Sequence, residues 1–267
     1  MASAERPNPP TERSSSQTYV KSLERGLAVI RAFDADHTEM RLSEVAQASG
    51  LTRAAARRFL LTLVELGYVS NDGGRFSLRP RVLDLGYSYL SGLSFQEIAQ
   101  PHMESLVREV NESSSISVLD DLDVVYVVRV PTRRIMTITL AVGTRLPAYA
   151  TSMGRVLLAA LPPEELEARL RKIKLERLTP HTVRTKKALR EAIERARDEG
   201  FATVDQELEE GLRSAAVPIA DAQGRVAALN VSVHASRTGM DVLRESFVPK
   251  VLATARAIER DARAGAG

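Results

Sequence analysis

Residues 22–78 carry three short helical patterns, followed by two strand patterns around a tight turn, and this ordered series restricts the fold more than any other feature. In the third pattern, apolar residues recur at the i, i+3, i+4, i+7 spacing of a buried helix face, at Ala56, Phe59, Leu60 and Leu63. Helix caps are predicted at Ser22, Ser43 and Thr52, with helix ends at Gly50 and Gly67. The sequence therefore predicts a compact three-helix unit.

Two β-prone runs follow the third helix, on either side of Asn71-Asp72-Gly73-Gly74. Paired glycines favour a hairpin there, because glycine reaches positive φ at little steric cost. Ser49-Gly50-Leu51 joins the second helix to the third in the layout of a helix-turn-helix. The hairpin makes this unit the winged version of that motif.

The outward face of the third helix combines arginines with small alanines, since its apolar stripe points inward. We expect Arg53, Ala54 and Ala55 to face DNA bases, because the N-terminal end of a recognition helix reads the major groove. Arg57 and Arg58 can pair with guanine or hold phosphate. The predicted DNA contacts are completed by Arg25, Ser43, Thr52 and, at the wing, Arg75. A solvated helix face and a protein-interaction module are the alternatives.

Charge and composition are compatible with this interpretation. The first 81 residues carry 12 Lys/Arg against 9 Asp/Glu, whereas the remaining residues carry 25 of each. The cationic excess thus lies in the first third of the chain, which suits a polyanion such as double-stranded DNA. The absence of cysteine excludes disulfides, thiolate zinc sites and a cysteine nucleophile.

The 267 residues are predicted to form two domains. Residues 1–18 are expected to be a disordered tail, 19–79 the winged helix-turn-helix, 80–95 a linker helix and 96–262 a second domain. The linker pattern is apolar enough to pack against a second subunit. No apolar run approaches the roughly 18 residues of a spanning helix, and the N-terminus does not resemble a secretory signal. A cytoplasmic location without membrane contact is expected.

The second domain mixes strand and helix patterns. Strands are predicted at 115–119, 124–130, 135–142, 201–205, 214–219 and 226–233, and helices at 95–111, 163–174 and 185–199. Gly224 marks a turn between the last two strands. This order favours an α+β fold, with helices around a mixed or antiparallel sheet.

One helix start in this domain suits a carboxylate ligand. Thr151 or Ser152 can cap the apolar helix that follows, the free N–H groups attract an anion, and Gly154 permits close approach. An ordinary capped core helix is the alternative. Elsewhere, Asp205 or Glu207 can accept hydrogen bonds from ligand hydroxyls. A solvated acidic loop is the alternative there.

Further polar groups join this candidate ligand set. Asn230 and Ser232 are two apart on one strand and so share a face. Candidate anion partners are Arg129, Arg133, Arg134 and Arg145, although a solvated turn is the alternative for Arg133-Arg134. The four histidines are far apart, without metal-type spacing, and there is no G-x-S-x-G elbow or phosphate loop. No cofactor, metal site or enzymatic activity is predicted.

From residue 18 to 262 the chain resembles the IclR-type transcriptional regulators. The resemblance rests on an ordered series of segments, among them Leu42-Ser43-Glu44-Val45-Ala46, Leu63-Val64-Glu65-Leu66-Gly67, Gly211-Leu212-Arg213-Ser214 and Ala228-Leu229-Asn230-Val231-Ser232. Residues 128–136 and 142–159 are most similar to the β-ketoadipate pathway group, the Pca/Pob-type regulators.

This resemblance implies a winged helix-turn-helix, a dimerising linker helix and a GAF-like effector domain that often assembles as a dimer of dimers. It implies ligand contacts at Thr151, Ser152, Met153, Gly154, Asp205, Glu207, Leu212, Ser214, Asn230 and Ser232. The implied effector is protocatechuate, 4-hydroxybenzoate or β-ketoadipate. A regulator responding to an unrelated small carboxylate and a protein-interaction adaptor are the alternatives.

Overall fold

The computed structural model describes residues 19–34, 36–86, 95–132, 140–220, 224 and 226–264. They group into two compact units, which divide between Tyr89 and Leu90. Four predicted parts lie outside the described residues: the tail 1–18, most of the second half of the linker helix, Arg133 with Arg134, and most of the strand 135–142. The predicted domain boundaries therefore remain predictions.

The first unit is a three-helix domain with a small antiparallel sheet. Its elements are α1 (Lys21–Arg31), β1 (Glu39–Arg41), α2 (Leu42–Ser49), α3 (Arg53–Glu65), β2 (Val69–Asp72) and β3 (Arg75–Leu78). β3 pairs with β2 in the predicted hairpin and also with β1, a short strand that local periodicity did not predict. The winged helix-turn-helix fold is confirmed.

Two of the three predicted helix caps are wrong. α1 begins at Lys21 after Val20, and α2 begins at Leu42 after Arg41, so that Ser22 and Ser43 lie in the first turns. At α2 the carboxylate of Glu44 takes the role of the cap, because it accepts the backbone N–H of Arg41 at 2.6 Å.

Thr52 does cap α3, where its hydroxyl accepts the N–H of Ala55 at 3.3 Å. Gly50 ends α2 in the left-handed conformation, with φ of 66°, which glycine adopts without strain. The α2–α3 turn is thereby fixed by its own residues. The core beneath it joins the three helices to β1 and β3 through Val29, Met40, Val45, Leu60 and Phe76.

The described start of the linker packs on the first unit. Pro80–Leu83 forms a 3-10 turn. From it, the guanidinium of Arg81 donates to the carbonyl of Leu66 at 3.0 Å and lies 5.5 Å from the ring centroid of Tyr68. The predicted helix 80–95 therefore begins as a tighter turn held by a cation–π contact.

The second unit is built on a six-stranded sheet. Its elements are α4 (Phe95–Val110), β4 (Ser113–Asp120), β5 (Asp123–Val130), β6 (Arg145–Pro147), α5 (Ser152–Ala159), α6 (Pro163–Lys172), α7 (Lys186–Glu199), β7 (Ala202–Asp205), β8 (Leu212–Ala220), β9 (Val226–His234), α8 (Met240–Val242) and α9 (Val248–Ala264), with a π-helical segment Leu243–Phe247 between the last two. The strand order is β6-β5-β4-β9-β8-β7, and every pairing is antiparallel. The α+β prediction is confirmed.

The two faces of this sheet bury separate cores. On one face, Ile116, Val217 and Leu229 pack with residues of α4 and α9. On the other, Tyr126 and Ala216 pack with α5, α6 and α7. Because side chains alternate along each strand, the second face also receives the polar residues that form the candidate ligand site.

Candidate functional sites: an arginine face and an enclosed cavity

The arginines of α3 lie on its exposed side. Ala56, Leu60 and Leu63 turn into the core, whereas Arg53, Arg57 and Arg58 are exposed. Within the described ranges, none of these three arginines forms an ion pair. Their charge is therefore free to meet an external anion.

The other predicted DNA contacts are exposed or half-buried. Ala54, Ser43, Thr52 and Arg25 are exposed, and Ala55 is half-buried. At the wing, Arg75 lies 3.7 Å from Glu39 across the β1–β3 pair, and both side chains are half exposed. Such an exposed pair is weak, so Arg75 can exchange Glu39 for a phosphate.

A cavity in the second unit lies between the sheet and the start of α5. Its volume, including the open space at its mouth, is about 380 Å³, and between its side chains it is narrow enough to admit only water-sized molecules. The lining residues are Tyr126, Leu140, Leu146, Ala150, Thr151, Ser152, Met153, Val204, Leu208, Leu212, Ser214, Asn230 and Ser232. None of these described residues is charged. Seven of the ten ligand contacts implied by resemblance thus lie together, Thr151 at the helix cap among them.

Asn230 organises the polar wall of the cavity. Its side-chain oxygen accepts the backbone N–H of Ser115 at 3.0 Å, and its amide nitrogen donates to the Ser232 hydroxyl at 3.1 Å. Ser214 is 2.8 Å from Ser152, hydroxyl to hydroxyl. All four side chains are buried. These bonds hold a small network of neutral hydroxyl and amide groups at one end of the cavity.

The start of α5 supplies backbone donors beside this network. Thr151 caps the helix by accepting the N–H of Gly154 at 3.0 Å. Among the described residues, the N–H groups of Ser152 and Met153 find no acceptor. A helix start with free N–H groups attracts negative charge, so this corner suits the carboxylate of a ligand.

The apolar wall includes residues that the sequence reasoning missed. Tyr126, Leu140 and Leu146 come from β5, β6 and the segment before it, and Leu208 comes from the loop after β7. The one local signal was Tyr126, an aromatic residue with two valines on either side of it in β5. The others reach the cavity through long-range strand pairing, which local periodicity does not report.

Glu207 was expected to contact the ligand, but it lies outside the cavity lining and forms a buried ion pair. The guanidinium of Arg155 donates to both of its carboxylate oxygens, at 2.7 and 2.6 Å, and Val183 N–H donates at 3.1 Å. The exposed fractions of the two side chains are 7% and 13%. Within the described part of the chain, the Nε of Arg155 is a buried donor without a partner. Glu207 therefore neutralises an internal charge.

Asp205 is likewise engaged within the protein and does not line the cavity. Arg213 Nε donates to its carboxylate at 2.6 Å. Burial raises the pKa of Asp205, but hydrogen bonds from Arg213 and Gln206 outweigh that effect, so the pKa lies below its ordinary value. The Asp205 carboxylate is consequently ionised at neutral pH and is hydrogen-bonded to Arg213.

Gly154 serves packing where a ligand approach was expected. A β-carbon at this position would overlap the backbone of Ala148, in the turn just before α5. Of the predicted arginines, Arg129 is half-buried and absent from the described cavity wall, and Arg145 pairs with Asp120 and Asp123 at the surface. Burial lowers the pKa of Arg129.

No cluster of metal-ligating side chains occurs within the described ranges. Nor does any helix there combine the length and the apolar character needed to cross a membrane.

A winged helix-turn-helix with an arginine face, followed by an α+β domain with an enclosed cavity, defines the class of two-domain bacterial transcription regulators. Residues 22–73 match the model of the IclR helix-turn-helix domain, and residues 87–260 match that of the C-terminal domain of bacterial IclR transcriptional regulators. The chain belongs to the IclR family.

Relatives and solved structures extend this result. The chain is 42% identical to the Pca regulon regulatory protein of Pseudomonas putida, over 89% of this chain and 82% of that one. A transcriptional regulator from Rhodococcus sp. RHA1 whose structure has been solved is 56% identical to this chain, with a TM-score of 0.82, over 93% of this chain and 100% of that one. An IclR homologue from Microbacterium hydrocarbonoxydans, solved with 4-hydroxybenzoate, is 28% identical with a TM-score of 0.81, over 91% and 99%.

Removing Glu207 is expected to destabilise the second unit strongly. Glu207→Ala leaves the buried Arg155 guanidinium without its counter-charge, which costs about 3–5 kcal/mol. The matched control is Glu167→Ala, whose partner Arg190 is 2.8 Å away in a pair that is about 40% exposed; it is expected to cost about 1 kcal/mol or less. Urea denaturation measures both. Equal losses for the two variants would contradict the role given to burial.

Gly154→Ala is expected to destabilise the protein because the new methyl group overlaps the Ala148 backbone. The expected cost is about 1–3 kcal/mol or more. In Gly26→Ala, the control, the nearest atom to the new methyl group is in Phe59 at 3.8 Å, so this variant is expected to gain about 0.5–1 kcal/mol of helix propensity. If urea denaturation showed unchanged stability for Gly154→Ala, the turn at Ala148 would be able to move enough to accept the methyl group, and the prediction would be wrong.

Proposed function

We propose that this protein binds an operator through α3 and that a small aromatic or dicarboxylic acid in the cavity controls this binding, so that it regulates genes of aromatic-acid catabolism. The observation that carries the proposal is the exposure of Arg53, Arg57 and Arg58 on the recognition helix of a winged domain. Exposed, unpaired arginines on such a helix match the acceptor-rich edge of guanine and the phosphates on either side.

The cavity supports an acid as the effector. Free N–H groups at Ser152 and Met153 suit a carboxylate, while Leu146, Leu208 and Leu212 offer an apolar wall to a ring or alkyl chain. The Pseudomonas relative is named for the Pca regulon, and the Microbacterium homologue was solved with 4-hydroxybenzoate. These names favour an aromatic-acid effector over an unrelated carboxylate.

The proposed regulator acts in the cytoplasm as a homodimer or a dimer of dimers. Two copies of α3 would enter successive major grooves of a pseudo-palindromic operator. The ligand would shift the balance between DNA-competent and incompetent arrangements. No catalytic step is assigned to the cavity, so a turnover assay with aromatic acids is expected to show no consumption.

Neutralising an arginine of α3 is expected to weaken DNA binding and its dependence on salt. For Arg58→Ala, the slope of log affinity against log salt is expected to fall by about 1 if Arg58 holds a phosphate. If Arg57 or Arg53 reads a base, its alanine variant loses about 1–3 kcal/mol and relaxes selectivity. Fluorescence anisotropy on fragments selected from genomic DNA measures both effects.

Arg31→Ala is the matched control, because Arg31 is an exposed arginine of the same domain on α1. It removes the same charge from a helix that does not carry the recognition face. If all four arginine variants weakened binding equally, the contribution of α3 would be general electrostatics, and the assignment of α3 as the reader would be lost.

The ligand assignment is tested by calorimetry of the full-length protein. Protocatechuate, 4-hydroxybenzoate and β-ketoadipate are titrated, and operator affinity is then measured with each. At least one acid is expected to bind and to change operator affinity or footprint. If none does either, the effector class is wrong, even where DNA binding itself is intact.

A further inference from the structure

The hydroxyl of Tyr126 differs from the other polar groups of the cavity wall. Tyr126 lines the cavity and is only 3% exposed, and none of the described residues forms a hydrogen bond with its hydroxyl. By contrast, Asn230 and Ser214 are hydrogen-bonded to neighbours. Arg155 Nε is the only fully buried side-chain donor or acceptor without a partner in the described part of the chain, so the Tyr126 hydroxyl is not sealed off from the cavity that it lines. A ligand in the cavity can therefore reach this hydroxyl and form the hydrogen bond that the described residues do not supply.

We propose that Tyr126 is a specificity-determining residue, whose phenol recognises the ring hydroxyl of a 4-hydroxybenzoate-type ligand. This inference rests on the proposed function and narrows it to aromatic acids with a polar group opposite the carboxylate.

The positions on the sheet place Tyr126 far from the carboxylate corner. Tyr126 is on β5, while Ser214, which contacts Ser152, is on β8, and β4 and β9 lie between the two strands. Three strand spacings separate their backbones by roughly 14 Å, and their side chains line the same cavity. A ligand with its carboxylate at Ser152 therefore presents the opposite end of its ring toward β5.

The chemistry of Tyr126 suits a neutral hydroxyl partner. Burial raises its pKa to about 12, and the charge of Arg129 lowers it only in part. The phenol thus stays protonated at neutral pH and can both donate and accept one hydrogen bond. A ligand hydroxyl can do the same. A second carboxylate would meet one neutral donor there, without a charged partner among the described lining residues.

The test compares two ligands that differ by one hydroxyl, 4-hydroxybenzoate and benzoate, on three full-length proteins. For Tyr126→Phe, affinity for 4-hydroxybenzoate is expected to fall about 3- to 10-fold, with benzoate affinity unchanged. Tyr149→Phe is the control: Tyr149 is similarly buried, and its hydroxyl bonds to the backbone of Glu176, outside the cavity lining. It is expected to alter neither affinity.

The outcomes separate this inference from the proposed function. If Tyr126→Phe weakens both ligands equally, or weakens neither, Tyr126 does not read the hydroxyl, although the aromatic-acid effector stands. If Tyr149→Phe reproduces the selective loss, the effect is structural and the inference is overturned. If the unaltered protein binds neither 4-hydroxybenzoate nor benzoate, this inference is overturned, whereas binding of β-ketoadipate would leave the proposed function standing with a dicarboxylic effector.

Discussion

The strand register of β4, β9 and β8 is the constraint on which the cavity depends. It pairs Ser115 with Asn230 and Ser232 with Ser214, so that their side chains share the face beneath α5. A slip of one residue would turn every side chain to the opposite face and bring residues such as Leu229 under the helix. The polar side chains therefore face α5 because the apolar side chains of the same strands face the other way and pack in the core with α4 and α9.

The helix start is held by three different interactions. Thr151 caps it, Gly154 lets it pack directly on the turn at Ala148, and Arg155 ties its first turn to Glu207. The loop that contains Glu207 also carries Leu208, which lines the cavity. Because the Arg155–Glu207 ion pair joins the helix start to this loop, a displacement of the helix start at Ser152 would also displace the loop. Burying the Arg155–Glu207 pair costs desolvation energy, but the pair fixes the position of the helix start relative to the loop.

Local periodicity predicted the elements well and the long-range contacts poorly. The outward arginines of α3 followed from the stripe at Ala56, Leu60 and Leu63, and the shared face of Asn230 and Ser232 followed from strand alternation. In contrast, Glu207 meets Arg155 52 residues away, and Tyr126 and Leu146 meet at the cavity through the β5–β6 pairing. Neither contact has a periodic signature. An acidic loop read from sequence alone therefore suggests ligand contacts where the fold has internal ion pairs.

The narrowness of the cavity decides where a ligand can act. The polar wall is fixed by Asn230 and by three paired strands, so it cannot widen without breaking buried hydrogen bonds. The apolar wall lies on less constrained parts, since Leu146 is on the three-residue edge strand β6 and Leu208 is in a loop. An aromatic ring must therefore displace the apolar wall. Under the proposed function, a ligand that binds only a widened form would shift the population by its differential affinity for the two forms.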